Sequence, residues 1–279
     1  MSVTAAFQVR PTFIQTDRGR LFGLFVDAGP AAREALVYLP PFAEEMNRCR
    51  ALAAEQARAL AGMGVSSLLL DPWGTGDSDG DLEECRWEMW LDDVRHGARW
   101  LAEQSGLRPG LWGCRLGGLL AAQACESAPD DFARLLLWQP VLNGKQFLTQ
   151  YLRLRVAWLM ERDLPAETTD GIRAEMAAGH IVEVAGYPIA GALAEGLDGA
   201  RFPAGETALA GPRIDWFEHG ADAEAQLSIA ANRAIGQLQS WGAQVHAQVF
   251  TGAPLWQLHK RDDLPDLIAR TTRLFGEPS

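Results

Sequence analysis

Lysine is almost missing from this chain. It occurs only at positions 145 and 260, and 36 acidic residues stand against 25 basic ones, a formal charge of -11 over 279 residues. No basic stripe forms, so nucleic acid is not an expected partner. Cysteine is sparse and scattered, at Cys49, Cys85, Cys114 and Cys125, with no C-x-x-C pair and no Cys/His cluster. That spacing speaks against zinc and against a disulfide framework, and free thiols suit a reducing compartment. No metal and no cofactor is expected. No apolar run approaches the ~18 residues of a membrane span. The N-terminal MSVTAAFQVRPTFIQ has no charged head followed by an apolar stretch, so a soluble, cytoplasmic protein is expected.

What is present is a rhythm of short apolar runs and helical patterns. Residues 21–26 and 35–39 read as strands, 47–63 as an alanine-rich helix, and 65–70 as a strand that runs into DPWGTGDSDGD. A helix at 87–105, a strand at 110–112, a helix at 117–127 and a strand at 132–138 follow. This β-α-β-α order implies a mostly parallel sheet flanked by helices. The rhythm breaks over 141–210, which holds amphipathic helices at 147–160 and 169–178 and the hairpin-like HIVEVAGYPIAG. It resumes with a strand at 213–217, a helix at 228–241, a strand at 245–250 and a helix at 264–275. The layout is that of an α/β-hydrolase fold with a helical cap, the core formed by 1–140 and 211–279 and the cap by 141–210.

Ligands of such sheets bind beyond the carboxyl ends of the strands. There, LWGCRLGG (111–118) has the form of a nucleophile elbow, strand to tight turn to helix, with Gly113 and Gly117 in the places that demand small residues. The tip that a hydrolase gives to serine is Arg115. A guanidinium stays protonated and has no lone pair to attack with. None of the serines (Ser2, Ser66, Ser67, Ser78, Ser105, Ser127, Ser228, Ser240, Ser279) sits in such a turn. Cys114, one residue early, would serve as a thiolate only after a shift of register. In the ordinary geometry it faces the core, where cysteine behaves as a small hydrophobe. Histidine is no better placed. His259 lies a turn beyond the position after the last strand, His246 is within that strand, His96 and His180 fall on helical or cap segments, and His219 sits in EHGAD beside Glu218 and Asp222.

A cation at a helix N-terminus is disfavoured by the helix dipole, so Arg115 calls for an anion. Glu44 and Glu45 of PPFAEEMN, on the loop beside the elbow, can supply one internally. The alternative is a bidentate clamp for the carboxylate or phosphate of a ligand. Glu218 and Asp222 are further candidate bases, and Phe42, Asn47, Trp73 and Trp256 are candidate pocket walls. The turn Asp71-x-x-Gly74-x-Gly76-x-Ser78 reads as architecture, its glycines taking backbone angles that side chains resist.

Taken together, PPFAEEMNRCR, DPWGTGDSDGD with RWEMWLDDV behind it, LWGCRLGGLLA and the late PLWQ resemble the hydrolase 2 family of the exosortase A system. The likeness runs over nearly the whole chain, and that family's pattern itself carries arginine at the elbow. It implies an α/β-hydrolase-superfamily protein associated with exopolysaccharide production. Two functions are then in play. One is hydrolysis of an ester, thioester or acyl group of a small metabolite without a serine triad. The other is a catalytically inactive fold that binds an anionic ligand, or a protein partner of the export or polysaccharide machinery.

Overall fold

The computed structural model describes residues 7–205, 211–222, 224–255 and 263–276. Strands β1 (Gln8–Gln15), β2 (Arg20–Asp27), β3 (Glu34–Leu39), β4 (Val65–Leu70), β5 (Gly110–Cys114) and β6 (Arg134–Trp138) come first, with helices α1 (Glu44–Gly62), α2 (Trp87–Ser105) and α3 (Leu116–Ser127) between them. An insertion follows, made of α4 (Gly144–Glu161), α5 (Thr169–Ala177), the hairpin of β7 (Val182–Val184) and β8 (Tyr187–Ile189), and α6 (Gly191–Gly199). Strand β9 (Arg213–Gly220), α7 (Ile229–Ser240), β10 (Val245–Thr251) and α8 (Pro265–Arg273) complete the chain.

Eight strands form one sheet in the order β1-β2-β4-β3-β5-β6-β9-β10. From β4 to β10 every neighbour is parallel, while β1 and β2 pair antiparallel at one edge. This is the α/β-hydrolase fold expected from the alternation of elements. Side-chain period decides the two cores. On β6, Leu135 and Leu137 pack toward α2 and α3, whereas Leu136 and Trp138 pack toward α1 and α8. Cys114 falls on the α1 side with Trp112, as the core reading of that residue requires.

Three differences from the sequence reading bear on the site. Helix α1 starts at Glu44 and not at 47, so Glu44 and Glu45 open the helix and do not lie on a loop. Strand β1, QVRPTFIQ, has no counterpart in that reading, because a strand whose burial is confined to Ile14 shows little apolar alternation. It holds Pro11 at the sheet edge, where proline is tolerated. Strand β9 runs on to Gly220, so Glu218 and His219 belong to the strand and not to a loop after it.

Candidate active site at the strand ends

The turn between β5 and α3 is a true elbow. Arg115 has φ 54° and ψ -117°, a conformation that L side chains rarely adopt. Neighbouring backbone fixes it there: its N–H donates to the Trp138 carbonyl at 3.0 Å, and its carbonyl accepts from Gly118 and Val141, each at 3.0 Å. A Cβ on Gly113 would run into the backbone of Gly117 and Gly118, and one on Gly117 into the carbonyls of Leu39 and Pro40. Both glycines are therefore compelled by close approach.

The adjacent strand makes a second turn of the same kind. Ala43, between β3 and α1, has φ 53° and ψ -124°. Two strained non-glycine tips thus stand side by side, each opening a helix. The first N–H groups of those helices, on Glu44 in α1 and on Leu116 and Gly117 in α3, have no acceptor inside their own helices, whereas the Glu45 N–H already donates to the Phe42 carbonyl at 3.2 Å. Together they form a corner of positive potential suited to a carbonyl oxygen or an oxyanion.

Arg115 bends across this corner to α1. Its Nε donates to Glu45 Oε2 at 3.2 Å and its Nη2 to Glu45 Oε1 at 3.3 Å, with the side chains 16% and 15% exposed. Of the two glutamates proposed from sequence, Glu45 takes the arginine. Glu44 instead lies 3.7 Å from Arg48 along the helix.

The remaining candidates are dispersed. Glu218 accepts from the N–H and the hydroxyl of Ser228, at 2.7 and 2.8 Å, and so fastens the start of α7. Asp222 is exposed and accepts from the Glu224 N–H across a turn. His219 has its Nε2 2.7 Å from the Gly252 carbonyl and its ring against Phe250. Trp73 is buried in the core, packed so closely against Gly80 that a Cβ there would collide with its indole, and it lines neither of the two hollows that meet at the corner. Cys114 is fully buried. Burial pushes its thiol well above the usual range, and the neighbouring Cys49 thiol and Glu45 push the same way, which removes it as a thiolate nucleophile. Trp256 and His259 lie outside the described residues. Among the described residues no group of three or more His, Cys, Asp or Glu could hold a metal ion.

Two hollows meet at the corner. One is a narrow apolar slot of about 20 Å³, room for about one water molecule, between Phe42, Met46, Trp87, Trp90, Leu116 and Leu120. The other is a wider open cleft of about 540 Å³ that shares Phe42, Ala43, Met46 and Thr75 with the slot and extends to Asn47 and the Tyr187 hairpin. Phe42 lines both hollows and Asn47 the cleft alone. Asn47 Nδ2 donates to the Tyr187 hydroxyl at 3.0 Å, tying α1 to the insertion over the cleft. Arg115 and Glu45 flank the slot through their neighbours Leu116 and Ala43 and do not line it.

Sequence reasoning missed Ala43, Tyr187, Trp87 and Trp90. Only the pair Trp87 and Trp90, three apart on one helix face, carried a signal for a wall.

The fold agrees with the known proteins that the chain resembles. Residues 30–185 match the family described as serine aminopeptidase, S33, and with more than half of its length matched the chain belongs to that family. A bovine (Bos taurus) protein named palmitoyl-protein thioesterase ABHD10, mitochondrial, is 31% identical over 121 residues, which are 43% of this chain and 37% of the relative. The chain therefore spans well under half of that relative's length. Among solved structures, mouse alpha/beta hydrolase domain-containing protein 10 superposes with a TM-score of 0.61 at 17% identity, covering 96% of this chain and 98% of that one. Est1E from Butyrivibrio proteoclasticus, with ferulic acid bound, gives 0.62 at 14% identity over 95% and 96% of the two chains. At these identities the structural likeness speaks for the fold. No helix among the described residues is long and apolar enough to cross a membrane.

Proposed function

We propose that this member of the serine aminopeptidase S33 family hydrolyses an ester or thioester of a small acyl-bearing metabolite by direct attack of water. The reading is carried by the doubled elbow, which keeps the carbonyl-binding corner of a hydrolase while its tip bears no nucleophile. The acyl group meets the corner at the mouth of the apolar slot, and its carbonyl oxygen takes the N–H groups of Leu116 and Gly117 at the start of α3 and of Glu44 at the start of α1. Glu45 has about four lone-pair sites and spends two on Arg115. In this reading the others hold the attacking water. The new bond runs from water oxygen to acyl carbon, the acyl–oxygen or acyl–sulfur bond breaks, and the water proton passes through Glu45 to the leaving group. Arg115 steadies the carboxylate and the charge that develops beside it. The motif resemblance to the exosortase A hydrolase 2 family supports a cytoplasmic substrate connected with exopolysaccharide export, with the 141–210 insertion as the cap.

A second reading has its own observation. Arg115 and Glu45 satisfy one another and line neither hollow, as they would in a catalytically silent protein that only binds its ligand or a partner of the export machinery.

One assay separates the two. Short- and medium-chain p-nitrophenyl esters and acyl thioesters are offered to the wild type, Glu45→Gln, Arg115→Ala and Cys114→Ala. Hydrolysis in the wild type and in Cys114→Ala, lost in the other two, is the expected result. A silent wild type that still binds the ligands establishes the second reading. Arg115→Ser alone is expected to yield no esterase, because the described histidine nearest the acid position, His219, is held by the Gly252 carbonyl.

A further inference from the structure

The slot and the cleft differ in charge as well as width, and the difference bears on what the acyl group is attached to. This inference rests on the acyl-site reading above. The slot is apolar apart from Thr75. The cleft that continues from it is lined by two carboxylates, Asp81 and Glu83, and by the polar side chains of Asn47, Thr75 and Tyr187. Among the described residues no Lys, Arg or His lines its wall. The nearest cations on α1 are already engaged, Arg50 with Asp71 at 2.7 Å and Arg48 with Glu44 at 3.7 Å.

An anionic carrier would enter this cleft against two like charges with no cation among its described lining residues. Phosphate recognition ordinarily rests on arginine, lysine or a ring of backbone N–H groups. A hydroxylated or amine-bearing group meets the opposite situation. The carboxylates accept from its hydroxyls or ammonium, and the Asn47 amide and Tyr187 hydroxyl can serve as donor or acceptor.

We infer that the substrate's head group is neutral or cationic and rich in hydroxyl or amine groups, such as a sugar or amino sugar, and that coenzyme A-type polyphosphate carriers are rejected. The corner at Ala43 and Leu116, where slot and cleft meet, then separates an apolar side from a head-group side, with Asp81 and Glu83 setting specificity.

Three uncleavable probes with one common octyl chain test this by calorimetry at low salt: octyl glucoside below its micellar concentration, the S-octyl thioether of thioglucosamine, and the S-octyl thioether of coenzyme A. The two sugar probes are expected to bind at least tenfold more tightly than the coenzyme A probe. In the Asp81→Asn/Glu83→Gln variant, both positions being exposed, that gap is expected to shrink about tenfold. Equal binding of all three probes, or a gap unmoved in the variant, overturns the inference and leaves the hydrolase reading intact. Binding by none of them overturns both. Because no probe can be cleaved, a failure of ester turnover counts against hydrolysis alone and leaves the ranking of head groups to stand.

Discussion

Arginine meets carboxylate at both ends of the large sheet, and the two meetings are built differently. At the amino ends of the strands, Arg134 Nη1 donates to Asp215 at 2.7 Å and its Nη2 to Glu34 at 3.3 Å, with Nε 3.0 Å from the other Glu34 oxygen. The Arg134 and Asp215 side chains are 8% and 0% exposed, and Arg213 and His246 approach the second Asp215 oxygen at 3.1 and 3.5 Å. At the carboxyl ends, Arg115 reaches Glu45 only at 3.2 and 3.3 Å, with more exposure and with a slot and a cleft alongside. Bonds between charged N–H donors and carboxylates run at about 2.7–2.9 Å. The shortest contact of the lower cluster has that length, and the upper pair is stretched. The same residue types thus make a buried lock at one end and a looser pair beside hollow space at the other. Burial and bond length distinguish the two, and residue identity does not.

Removing the arginine on each side tests this contrast most sharply. Arg134→Met leaves Asp215 buried beside weaker partners and is expected to cost about 3 kcal/mol of stability in urea unfolding. Arg115→Met is expected to cost about 1 kcal/mol or less. Equal losses would erase the distinction between lock and pair.

The elbow end is loose electrostatically but tight sterically. Gly117→Ala drives a methyl into the Leu39 and Pro40 carbonyls and is expected to lower the unfolding free energy by about 2–3 kcal/mol. A Gly117→Ala protein of wild-type stability would mean that the β3 and β5 turns can part freely.

Helix α3 links the two ends and carries a third carboxylate, Glu126, in its last turn. Burial raises its carboxyl from 4.5 to about 7, although its Oε1 accepts from the Ala204 N–H. The folded state therefore holds this proton more firmly than the unfolded state. Its stabilising effect is complete below about pH 4.5 and declines as pH rises through 7, at up to 1.36 kcal/mol per pH unit. Urea midpoints at pH 5 and pH 8 should show Glu126→Gln without that decline, and more stable than the wild type at pH 8 by on the order of 2 kcal/mol. A variant that keeps the slope would place its source in another group.

The smallest expected effect lies at the elbow tip. Arg115→Gly accepts φ 54° without strain, whereas Arg115→Ala does not, so the glycine variant is expected to be the more stable by about 1 kcal/mol. Equal stabilities would show that the turn stores no strain for its side chain to bear.

Much of this was legible in the chain. The alternation of apolar runs and helical patterns gave the parallel sheet, and Gly113 with Gly117 gave the elbow, because steric demands of that kind depend on neighbours a few residues away. An internal Arg115–Glu pair was foreseeable from the helix dipole. The second elbow was not, since Ala43 is no glycine and nothing in its type reports a positive φ. The part played by Glu218 was hidden as well. Whether it faces a site or ties down Ser228 depends on how far β9 runs, and β9 extends as far as its pairing with β10 holds it, from Ile214 opposite Val245 to Gly220 opposite Thr251.

What the sequence determined by itself is the class of fold and the chemistry it forgoes. Periodicity is a local property, and a guanidinium at the tip of a tight turn cannot become a nucleophile in any surroundings. What only the tertiary structure decided is which anion answers that guanidinium, where an apolar slot gives way to an acidic cleft, and which arginine pair is a lock. Those depend on burial and on distances between residues some 70 to 100 positions apart in the chain, from Glu45 to Arg115 and from Glu34 to Arg134. Neither quantity exists until the layers have packed.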